Sequence, residues 1–398
     1  MRVLFFNYEY PPLGGGAAHA NAQIFAQFSR WADIDIDLVT SALDGTYSVE
    51  NLSDRIRIHR IPIGKNAKNL HYQSQKELLA YTWRALKYTR QLLKENAYDM
   101  THSFFAVPCG ILSLYCKLLH GLPYIVSLRG ADVPGYSERF SFVYALFTPL
   151  IVLIWRQAQY CITNSKGLTE LAQKTSARID FTEIYNGIDG AAFEQEKKHV
   201  SGERDVFTIL CAARLTYRKG FQYALDAVHL LIADIGKKDI KIQMVIAGGD
   251  GGMMSRLRGQ VQALGLEKHV TFSGQYTREM APEVYAGADV FLMPSFNEGM
   301  SNNVLEALAS GLPILMTPTG GAQELVRDGE NGYIVDYMSS QNIANRLQRM
   351  IEDPIRTVQM GQESRNIAQE LTWKKTAQAY YTRYKEVCYS TQNLHSRK

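Results

Sequence analysis

The sequence predicts an α/β protein of two lobes, each built on a doubly wound parallel sheet, with a ligand-binding cleft between the lobes. The chain has 398 residues, more than one ordinary core accommodates. Apolar runs of strand length alternate with helical segments, which is the pattern of parallel sheets. A polar stretch without periodicity, GAAFEQEKKHVSGERD at 190–205, separates two such series. Ligands of such sheets bind at the carboxyl ends of the strands, hence the expected cleft.

The first series begins with the strand RVLFFNY and the turn PPLGGGAAHA, which opens a helix running to about Trp31. IDIDLVTS is the second strand, and a helix is predicted over 74–96. Further strands are predicted at IRIHRIPI, MTHSFFA, YIVSLRG, YCITNS and FTEIYNG.

The second series supplies the strands VFTILCAAR, IKIQMVIAGG, VTFSG, DVFLMPS, PILMTPT and GYIV. The tail, TWKKTAQAYYTRYKEVCYS, is predicted to form one helix. The chain therefore divides into domains at 1–190 and 191–372, followed by a C-terminal helix at 373–398.

Composition narrows the class of protein. The net charge of +4 is too weak to indicate a nucleic-acid partner. The five cysteines form no CxxC pair and no metal-type cluster, which is typical of reduced thiols in a cytosolic protein. The N-terminus does not resemble a signal peptide, and the apolar run at 140–155 is shorter than the roughly 20 residues of a spanning helix. We expect a cytoplasmic protein, peripheral at the inner face of the cell membrane.

The motif ARLTYRKG follows a predicted strand and precedes a helix that begins near Phe221. Arg214 and Lys219 therefore lie on a loop at the carboxyl end of a strand. Two cations at a helix N-terminus suit a diphosphate, because the helix dipole and the guanidinium both favour phosphate oxygens. A solvated basic turn is the alternative interpretation of this motif.

A second motif, PSFNEGMSNNVLEALASG, carries Glu298 and Glu306 on either side of a polar turn. The helix should start near Ser301, whose hydroxyl is a suitable cap, and its amides at 301–304 form a second anion site. Glu306, about one turn into the helix, can accept two hydrogen bonds from a ribose diol. Glu298, on the loop, can accept bonds from sugar hydroxyls. The alternative for Glu306 is that it only complements the helix dipole.

Arg214-x4-Lys219 and Glu298-x7-Glu306 occur in one chain with PPLGGG, TNSKGL, IYNGID, VIAGGD, VTFSGQY, TPTGGAQELVRDGENGYIV and a final helix containing Trp373. This ordered set resembles the retaining, nucleotide-sugar-dependent glycosyltransferases of family 4, which have the GT-B architecture of two Rossmann-like lobes. The resemblance spans essentially the whole chain and is most specific over 207–336. It implies that 1–190 binds the acceptor, that 191–372 binds the donor, and that the helix 373–398 packs back toward the first domain.

The resemblance also implies a role for each matching residue. Arg214 and Lys219 would neutralise the donor diphosphate and stabilise the leaving group, and Glu298 would contact the transferred sugar; these three are the implied catalytic residues. Glu306 would hold the ribose hydroxyls. The other implied donor-binding residues are Gly15 and Gly16 in the first lobe, Gln275 and Tyr276 beside the base, and Gly299, Met300, Ser301, Asn302 and Asn303 along the sugar and phosphates.

The acceptor side departs from the family pattern. Many relatives place a histidine after the strand corresponding to YIVSLRG, and Arg129 stands there in this chain. Arginine cannot act as a base at neutral pH, but it can hold a phosphate or the acceptor. Asp132 is a candidate acceptor-side carboxylate. His102, in MTHSF, matches an upstream family histidine, and both a core role and a catalytic role are open for it.

No cofactor is expected beyond the donor substrate, a UDP- or GDP-sugar, and no metal is required by the family chemistry. The DxD-like run Asp33-Ile-Asp35-Ile-Asp37 alternates with apolar residues. That alternation is typical of a strand with its polar residues on one face, so we reject the run as a manganese site.

The acceptor is expected to be a saccharide or a lipid-linked saccharide. Residues 55–94 contain ten lysines and arginines and one acid, Glu77. On a helical wheel, Lys76, Arg84, Lys87, Arg90 and Lys94 share one face, and Leu78, Leu79, Leu86 and Leu93 lie on the other. This helix and the apolar run at 140–155 suit an anionic membrane surface. The alternatives are an ordinary surface helix for the first segment and a buried or dimer-forming helix for the second.

The sequence thus predicts a retaining, metal-independent glycosyltransferase (hexosyl or N-acetylhexosaminyl) that acts in bacterial surface polysaccharide or glycolipid biosynthesis. A nucleotide-sugar epimerase of the same fold and a non-catalytic sugar-nucleotide-binding protein are the rival hypotheses. A phosphorylase is disfavoured by the chain length.

Overall fold

The computed structural model describes residues 1–65, 70, 73–136, 141–194, 206–235 and 240–395, without the side chains of 141–143, 145 and 391–395. The chain forms two compact units. One comprises Met1–Asn186 together with Trp373–Lys398, and the other comprises Gly187–Thr372. Most of the predicted boundary at 190–205 lies outside the described residues, which end at 194 and resume at 206.

The first unit alternates strands and helices. In chain order it contains β1 (Arg2–Phe6), α1 (Gly16–Phe28), β2 (Asp35–Ser41), β3 (Ser48–Ser53), β4 (Ile56–Ile61), α2 (Gln75–Glu95), β5 (Met100–Phe104), α3 (Cys109–His120), β6 (Tyr124–Ser127), α4 (Ser141–Gln157), β7 (Tyr160–Thr163), α5 (Lys166–Thr175) and β8 (Phe181–Glu183).

The sheet of the first unit has the order β3-β4-β2-β1-β5-β6-β7-β8. The order runs outward from β1 in both directions, as in a doubly wound fold. The strand pairs are parallel except β3 with β4, which are antiparallel. The sequence did not predict β3, whose residues are polar and almost all exposed at the edge of the sheet. The expectation of an all-parallel sheet is therefore wrong at this edge.

The final helix belongs to the first unit. This helix, α13 (Trp373–His395), buries Trp373, Tyr380 and Tyr384 in one apolar cluster with residues of β1, α1 and β5. The Tyr384 hydroxyl contacts His102 Nδ1 at 2.6 Å on β5. The helix is thus fixed to the first sheet by both apolar packing and a buried hydrogen bond.

Helix α2 faces the sheet differently from the helical-wheel prediction. Its buried residues are Tyr81, Ala85, Thr89 and Leu92, and the Tyr81 hydroxyl donates to the Val39 carbonyl at 2.8 Å. Leu79 is 70% exposed, so the predicted leucine face is not the core face. Leucines 78, 86 and 93 are only partly buried. The bulky tyrosine and the small residues beside it set the face that packs on the sheet.

The second unit repeats the alternation. It contains a 3-10 turn at Gly190–Phe193, β9 (Val206–Ala212), a 3-10 turn at Tyr217–Lys219, α6 (Phe221–Ile235), β10 (Lys241–Ala247), α7 (Met254–Ala263), β11 (Val270–Gly274), α8 (Ala281–Ala286), β12 (Val290–Met293), α9 (Asn302–Ala309), β13 (Ile314–Met316), α10 (Ala322–Leu325), β14 (Gly332–Ile334), α11 (Ser340–Glu352) and α12 (Pro354–Glu370).

The sheet of the second unit is parallel throughout, with the order β11-β10-β9-β12-β13-β14. Its central strands are runs of fully buried residues, such as VFLM in β12, because helices cover both faces. The predicted fold class, two doubly wound α/β sheets, is confirmed, and the predicted strands of both series are present.

Candidate functional site

The two cationic and acidic motifs meet at the carboxyl ends of β9 and β12. These strands are hydrogen-bonded neighbours, with Leu210 opposite Phe291. The loop after β9 carries the predicted cations, and the loop after β12 carries the predicted carboxylates. A backbone hydrogen bond from Phe296 N to the Arg218 carbonyl, at 2.8 Å, joins the two loops directly.

Lys219 and Glu298 form a buried ion pair at this junction. Lys219 Nζ lies 2.5 Å from Glu298 Oε1, and each residue is 8% exposed. Seventy-nine residues of sequence separate the partners. The structure therefore brings together two residues that the sequence selected on separate motifs.

The close approach of the two loops depends on Gly220, which follows Lys219. Its φ is +71°, and a Cβ placed there would lie 2.0 Å from the Pro294 carbonyl oxygen. Only glycine combines this backbone conformation with this contact. Gly220 thus allows the loop after β9 to pack against the end of β12, where Lys219 reaches Glu298.

Neighbouring cations act on both members of this pair. Burial lowers the pKa of Lys219, and Arg218 and Arg214 lower it further against the opposing effect of Glu298. Burial by itself raises the pKa of Glu298, but Lys219 and Arg218 outweigh it and hold the pKa below its usual range. Two cations, Lys219 and Arg218, thus act on the Glu298 carboxylate. A loop that carries Arg214, Arg218 and Lys219 at the end of a strand suits an anionic ligand.

Helix α9 begins beside Glu298, at Asn302, with Ser301 at the capping position. The Ser301 hydroxyl makes no capping hydrogen bond, so the predicted side-chain cap is wrong. Met300 and Ser301 are buried, whereas Gly299, Asn302 and Asn303 are partly buried. The amides of the first helical turn have no acceptor within the helix, which makes this end suited to an anion.

Glu306 lies inside α9 and is held by a neutral partner. The Tyr285 hydroxyl donates to Glu306 Oε2 at 2.8 Å, and Glu306 is 9% exposed. Burial raises the pKa of Glu306, against the opposing effects of Tyr285 and Arg278. A buried carboxylate of this kind gains from hydroxyl donors supplied by a ligand.

Tyr276 and Gln275 follow β11 at the same edge of the second sheet. Tyr276 is hydrogen-bonded to Tyr285, and Asn303 Nδ2 lies 3.5 Å from its hydroxyl. Gln275 is exposed and contacts the position of Gly249. Tyr276 therefore joins the Glu306 network, whereas Gln275 lies close to the loop after β10.

The glycines of the first unit lie on the loop before α1. Gly15 N donates to Glu9 Oε2 at 3.2 Å, and Gly14 N donates to the Leu70 carbonyl at 2.8 Å. Gly16 begins α1. A Cβ on Gly14, at φ +99°, would lie 2.7 Å from Glu9 Oε2, so this loop is fitted around the Glu9 carboxylate.

The acceptor-side candidates follow β5 and β6 of the same unit. His102 is fully buried between Tyr384 and Ser127, whose Oγ lies 2.8 Å from His102 Nε2, and burial lowers the pKa of His102. Asp132 accepts backbone hydrogen bonds from Arg129 at 2.9 Å and Ala106 at 2.7 Å. His102 thus occupies a core position in the structure, and Asp132 braces the loop that carries Arg129.

In the described part of the chain, no cluster of three or more His, Cys, Asp or Glu residues has the arrangement of a metal site. The DxD-like acids are engaged elsewhere. Asp37 is buried and accepts hydrogen bonds from Arg57 at 2.7 Å and Tyr98 at 2.9 Å, and its Oδ1 lies 2.9 Å from His59 Nε2. None of the helices in the described ranges combines the length and hydropathy that a membrane-spanning segment needs.

Sequence reasoning missed Tyr285, Arg218 and the surroundings of Arg129. Arg218 stands inside ARLTYRKG and could have been selected from its position beside Lys219. Tyr285 lies in APEVYAGAD, where no pattern marks its contact with Glu306. Asn186, which accepts from Arg129 Nη2 at 3.0 Å, belongs to the quoted motif IYNGID.

Two family models together match most of the chain. The family "Glycosyltransferase Family 4" matches residues 14–191, and the family "Glycosyl transferases group 1" matches residues 193–367. The first model covers most of the first unit, and the second covers most of the second unit. The matched ranges include every candidate site residue named above.

The chain is also similar to individual proteins in sequence and to a solved structure in fold. A D-inositol 3-phosphate glycosyltransferase from Arthrobacter sp. (strain FB24) is 26% identical over 94% of this chain and 93% of that protein. A GDP-mannose-dependent alpha-(1-6)-phosphatidylinositol monomannoside mannosyltransferase from Mycobacterium tuberculosis is 32% identical over 46% of this chain and 48% of that protein. The structure of sucrose-phosphate synthase from Thermosynechococcus elongatus superposes with a TM-score of 0.79 at 20% identity, over 98% of this chain and 100% of that chain.

Proposed function

The chain belongs to the group 1 glycosyltransferases of GT-B fold, and we propose that it moves a sugar from a nucleoside diphosphate-sugar to a saccharide or lipid-linked saccharide, with retention of anomeric configuration. The observation that carries this proposal is the buried Lys219–Glu298 pair, on a loop that also carries Arg214 and Arg218. It lies at the carboxyl ends of neighbouring parallel strands, where such folds bind ligands.

The proposed chemistry uses the cations of this loop. When the bond between the sugar and the diphosphate breaks, negative charge develops on the leaving phosphate oxygen. Arg214, Lys219 and the first amides of α9 stabilise that charge, and stabilisation by fixed donors is strongest where water is excluded. Glu298, held by Lys219, contacts the transferred sugar. These groups supply the leaving-group stabilisation without a metal ion.

Glu306 and the network around it supply the nucleoside subsite in this proposal. Its carboxylate accepts hydrogen bonds from the ribose hydroxyls, and the Tyr285 hydroxyl fixes its orientation. The base lies against Gln275 and Tyr276. A UDP- or GDP-sugar is the proposed donor, and the mycobacterial relative is named for its dependence on GDP-mannose.

The proposed acceptor and setting rest on the names of relatives and on the surface of the first unit. One relative is named for an inositol phosphate and another for a phosphatidylinositol, which is a lipid. We therefore propose a role in bacterial surface polysaccharide or glycolipid assembly. The protein would act in the cytoplasm, at the inner face of the cell membrane.

Three helices of the first unit that pack in succession, α2, α3 and α4, carry exposed apolar residues. They are Leu79 and Trp83, Leu118 and Leu119, and Leu146 and Leu153, respectively. The lysines and arginines of the α2 basic face are all exposed beside Leu79 and Trp83. Exposed apolar residues beside a row of cations fit an anionic lipid surface. Residue 140 and the side chains of 141–143 lie outside the described set.

Sedimentation with vesicles tests the membrane contact. We expect binding to phosphatidylcholine vesicles that contain phosphatidylglycerol, and weaker binding to phosphatidylcholine alone. The double variant Lys76→Glu/Lys87→Glu should bind the vesicles with phosphatidylglycerol more weakly. The control Lys174→Glu/Lys374→Glu changes two other exposed lysines of the same unit by the same charge, and it should bind these vesicles as the wild type does. Equal binding of both double variants would contradict the proposed surface.

Release of nucleoside diphosphate from a panel of UDP- and GDP-sugars tests the enzymatic proposal. A thermal-shift screen first identifies the nucleotide, because a ligand at about 100 times its Kd stabilises by about 2.7 kcal/mol. We expect release that rises with a saccharide acceptor. Conversion of the donor to an epimer without release indicates the epimerase, and binding without either reaction indicates a binding protein.

A further inference from the structure

Arg129, which follows β6, is a sheltered cation held by neutral groups. Its Nη2 donates to Asn186 Oδ1 at 3.0 Å, and its guanidinium carbon lies 4.3 Å from the centre of the Phe104 ring. The Tyr380 hydroxyl is its other side-chain hydrogen-bond partner. An amide, a phenol and an aromatic face therefore hold the guanidinium in the positions that a carboxylate often takes.

The nearest candidate counter-ion does not pair with this guanidinium. Asp132 directs its carboxylate to the backbone, accepting from the amides of Arg129 at 2.9 Å, Gly130 at 3.1 Å and Ala106 at 2.7 Å. Within the described ranges, no carboxylate oxygen lies within 4.0 Å of the Arg129 guanidinium. Glu9 acts on Arg129 only at longer range, and its Oε2 accepts from Gly15 N.

A contrast within the same unit shows what a paired arginine looks like. Arg57 donates to both carboxylate oxygens of Asp37, at 2.7 and 2.9 Å. A guanidinium has five N–H donors, and removing it from water is unfavourable unless charge and hydrogen bonds replace the solvent. Burial accordingly lowers the pKa of Arg129. Arg129 therefore lacks the direct carboxylate contact that Arg57 has.

Arg129 lies at a position in the fold where a ligand is expected to bind. β6 neighbours β5, which pairs with β1, and the strand order reverses at β1. Ligands of doubly wound sheets bind at the carboxyl ends of the strands around this point. Arg129 is the first polar side chain after β6 on that edge, and it keeps partial exposure.

We propose that Arg129 forms an anion subsite in the first unit that binds a phosphate group of a substrate. A planar guanidinium binds two phosphate oxygens at once, and Asn186 and Tyr380 hold it in one orientation. The proposal rests on the proposed transferase function for its two sources of phosphate. These are a phosphate on the acceptor and the diphosphate of the donor.

The effect of substitution on the Tm distinguishes an anion subsite from an arginine that has only a structural role. Because Arg129 is held without a counter-ion, Arg129→Met should keep or raise the Tm, whereas loss of a structural ion pair lowers it. Inorganic phosphate should raise the Tm of the wild-type protein and leave that of Arg129→Met unchanged. Arg129→Lys keeps the charge but loses the two-point contact, so it should show an intermediate response.

Calorimetric titration of the full chain separates the two sources. The probes are inorganic phosphate and glycerol 3-phosphate, each with and without saturating UDP or GDP, and the nucleotides alone. Arg178→Met, which removes an exposed arginine of the same unit, is the matched control. We expect Arg129→Met to weaken phosphate binding by about tenfold or more, as loss of a charged partner does, with no change in the control.

Phosphate binding beside saturating nucleotide, lost in Arg129→Met, assigns the subsite to the acceptor. Nucleotide that excludes phosphate and itself binds about tenfold more weakly to Arg129→Met assigns it to the donor diphosphate. Equal affinities of wild type and Arg129→Met for all probes, or a Tm lowered by the substitution without any change in affinity, would overturn the subsite. These binding results do not depend on turnover, so failure of the subsite is distinct from failure of the transferase.

Discussion

Each of the two sheets has a sheltered cation at the carboxyl ends of its strands, Lys219 in the second unit and Arg129 in the first, and the two cations differ in their partners. Lys219 is paired with Glu298 across two neighbouring loops. Arg129 is held by Asn186, Tyr380 and an aromatic ring. We propose that the paired cation belongs to a donor site that is complete before a ligand arrives, and that the unpaired one is arranged for a charge that a ligand brings.

This difference predicts opposite responses to substitution. Removing Glu298 leaves the buried ammonium of Lys219 without a counter-ion, so that the unfavourable free energy of its desolvation is no longer offset. Removing the charge of Arg129 relieves such an effect.

Glu298→Ala should destabilise the protein by about 3–5 kcal/mol, because it leaves Lys219 buried and unpaired. It should also slow sugar transfer by about 10²–10³-fold, as loss of one fixed group in an active site does. Urea unfolding and nucleoside diphosphate release measure the two effects. Lys219→Met in the same background should recover much of the stability and none of the activity.

Glu363→Ala is the control for this pair, since it breaks the exposed ion pair with Arg327 in the same unit. The expected loss is about 0–1 kcal/mol. Similar losses for the buried and the exposed pair would remove the distinction on which the comparison depends.

Gly220→Ala should destabilise by about 2–4 kcal/mol and reduce transfer, because both a positive φ and a close contact with the Pro294 carbonyl must be relieved. Gly265→Ala is the matched control: its φ is +67°, and no atom lies within 4 Å of its added Cβ. The control should lose about 1–2 kcal/mol and keep full activity. An equal loss of activity in both variants would show that the approach of the two loops is not what matters.

Glu306→Gln should weaken the binding of nucleoside diphosphate by about tenfold, or about 1.4 kcal/mol, because an amide accepts ribose hydroxyls less well than a carboxylate. It should leave stability at neutral pH unchanged or raised, because it removes a buried charge held by a neutral hydroxyl. Calorimetric titration and thermal melting give the two values. Unchanged affinity would show that the ribose lies elsewhere.

As the pH falls, the affinity for nucleotide should also decrease. This decrease should begin at a higher pH than the protonation of an ordinary glutamate would cause. Burial raises the pKa of Glu306, so this carboxyl takes up its proton above the usual range as the pH falls. The Glu298 carboxyl has a lowered pKa and stays ionised there. The Kd should therefore rise in the wild type and remain flat in Glu306→Gln, and parallel profiles would assign the titration to another group.

Because the pKa of the Glu306 carboxyl is raised in the folded state, this group also makes the stability of the protein depend on pH. The folded state holds this proton more tightly than the unfolded chain, so the contribution is fully present below the unfolded pKa. It is lost as the pH rises through the folded pKa. Thermal melting of wild type against Glu306→Gln should show the difference growing toward neutral pH, in favour of the variant.

The regular parts of this fold could be predicted because strand length, apolar runs and turn residues are local signals. VFLM and VFTILCA are unmistakable central strands. Strand β3 was not predicted from the sequence, because SVENLS lies at an exposed edge and lacks the apolar face that identifies a strand. The core face of α2 escaped because Tyr81 reaches the carbonyl of Val39, a contact that a helical wheel of leucines does not register.

The candidate donor residues could be selected from sequence because their motifs are short and self-contained, although their contact spans 79 residues. The partners of Arg129 could not be predicted. Asn186 and Tyr380 come from distant segments, and only the packing of α13 on the first sheet places the tyrosine beside the guanidinium. The missing side-chain cap at Ser301 likewise reflects local geometry rather than residue type.

A crystal structure of the protein with the nucleoside diphosphate selected by thermal shift tests the central claim most directly. The account predicts ribose hydroxyls within hydrogen-bond distance of the Glu306 carboxylate and diphosphate oxygens on Arg214 and Lys219, close to the first amides of α9. A nucleotide bound away from the carboxyl ends of β9 and β12, or with its ribose turned away from Glu306, would contradict it.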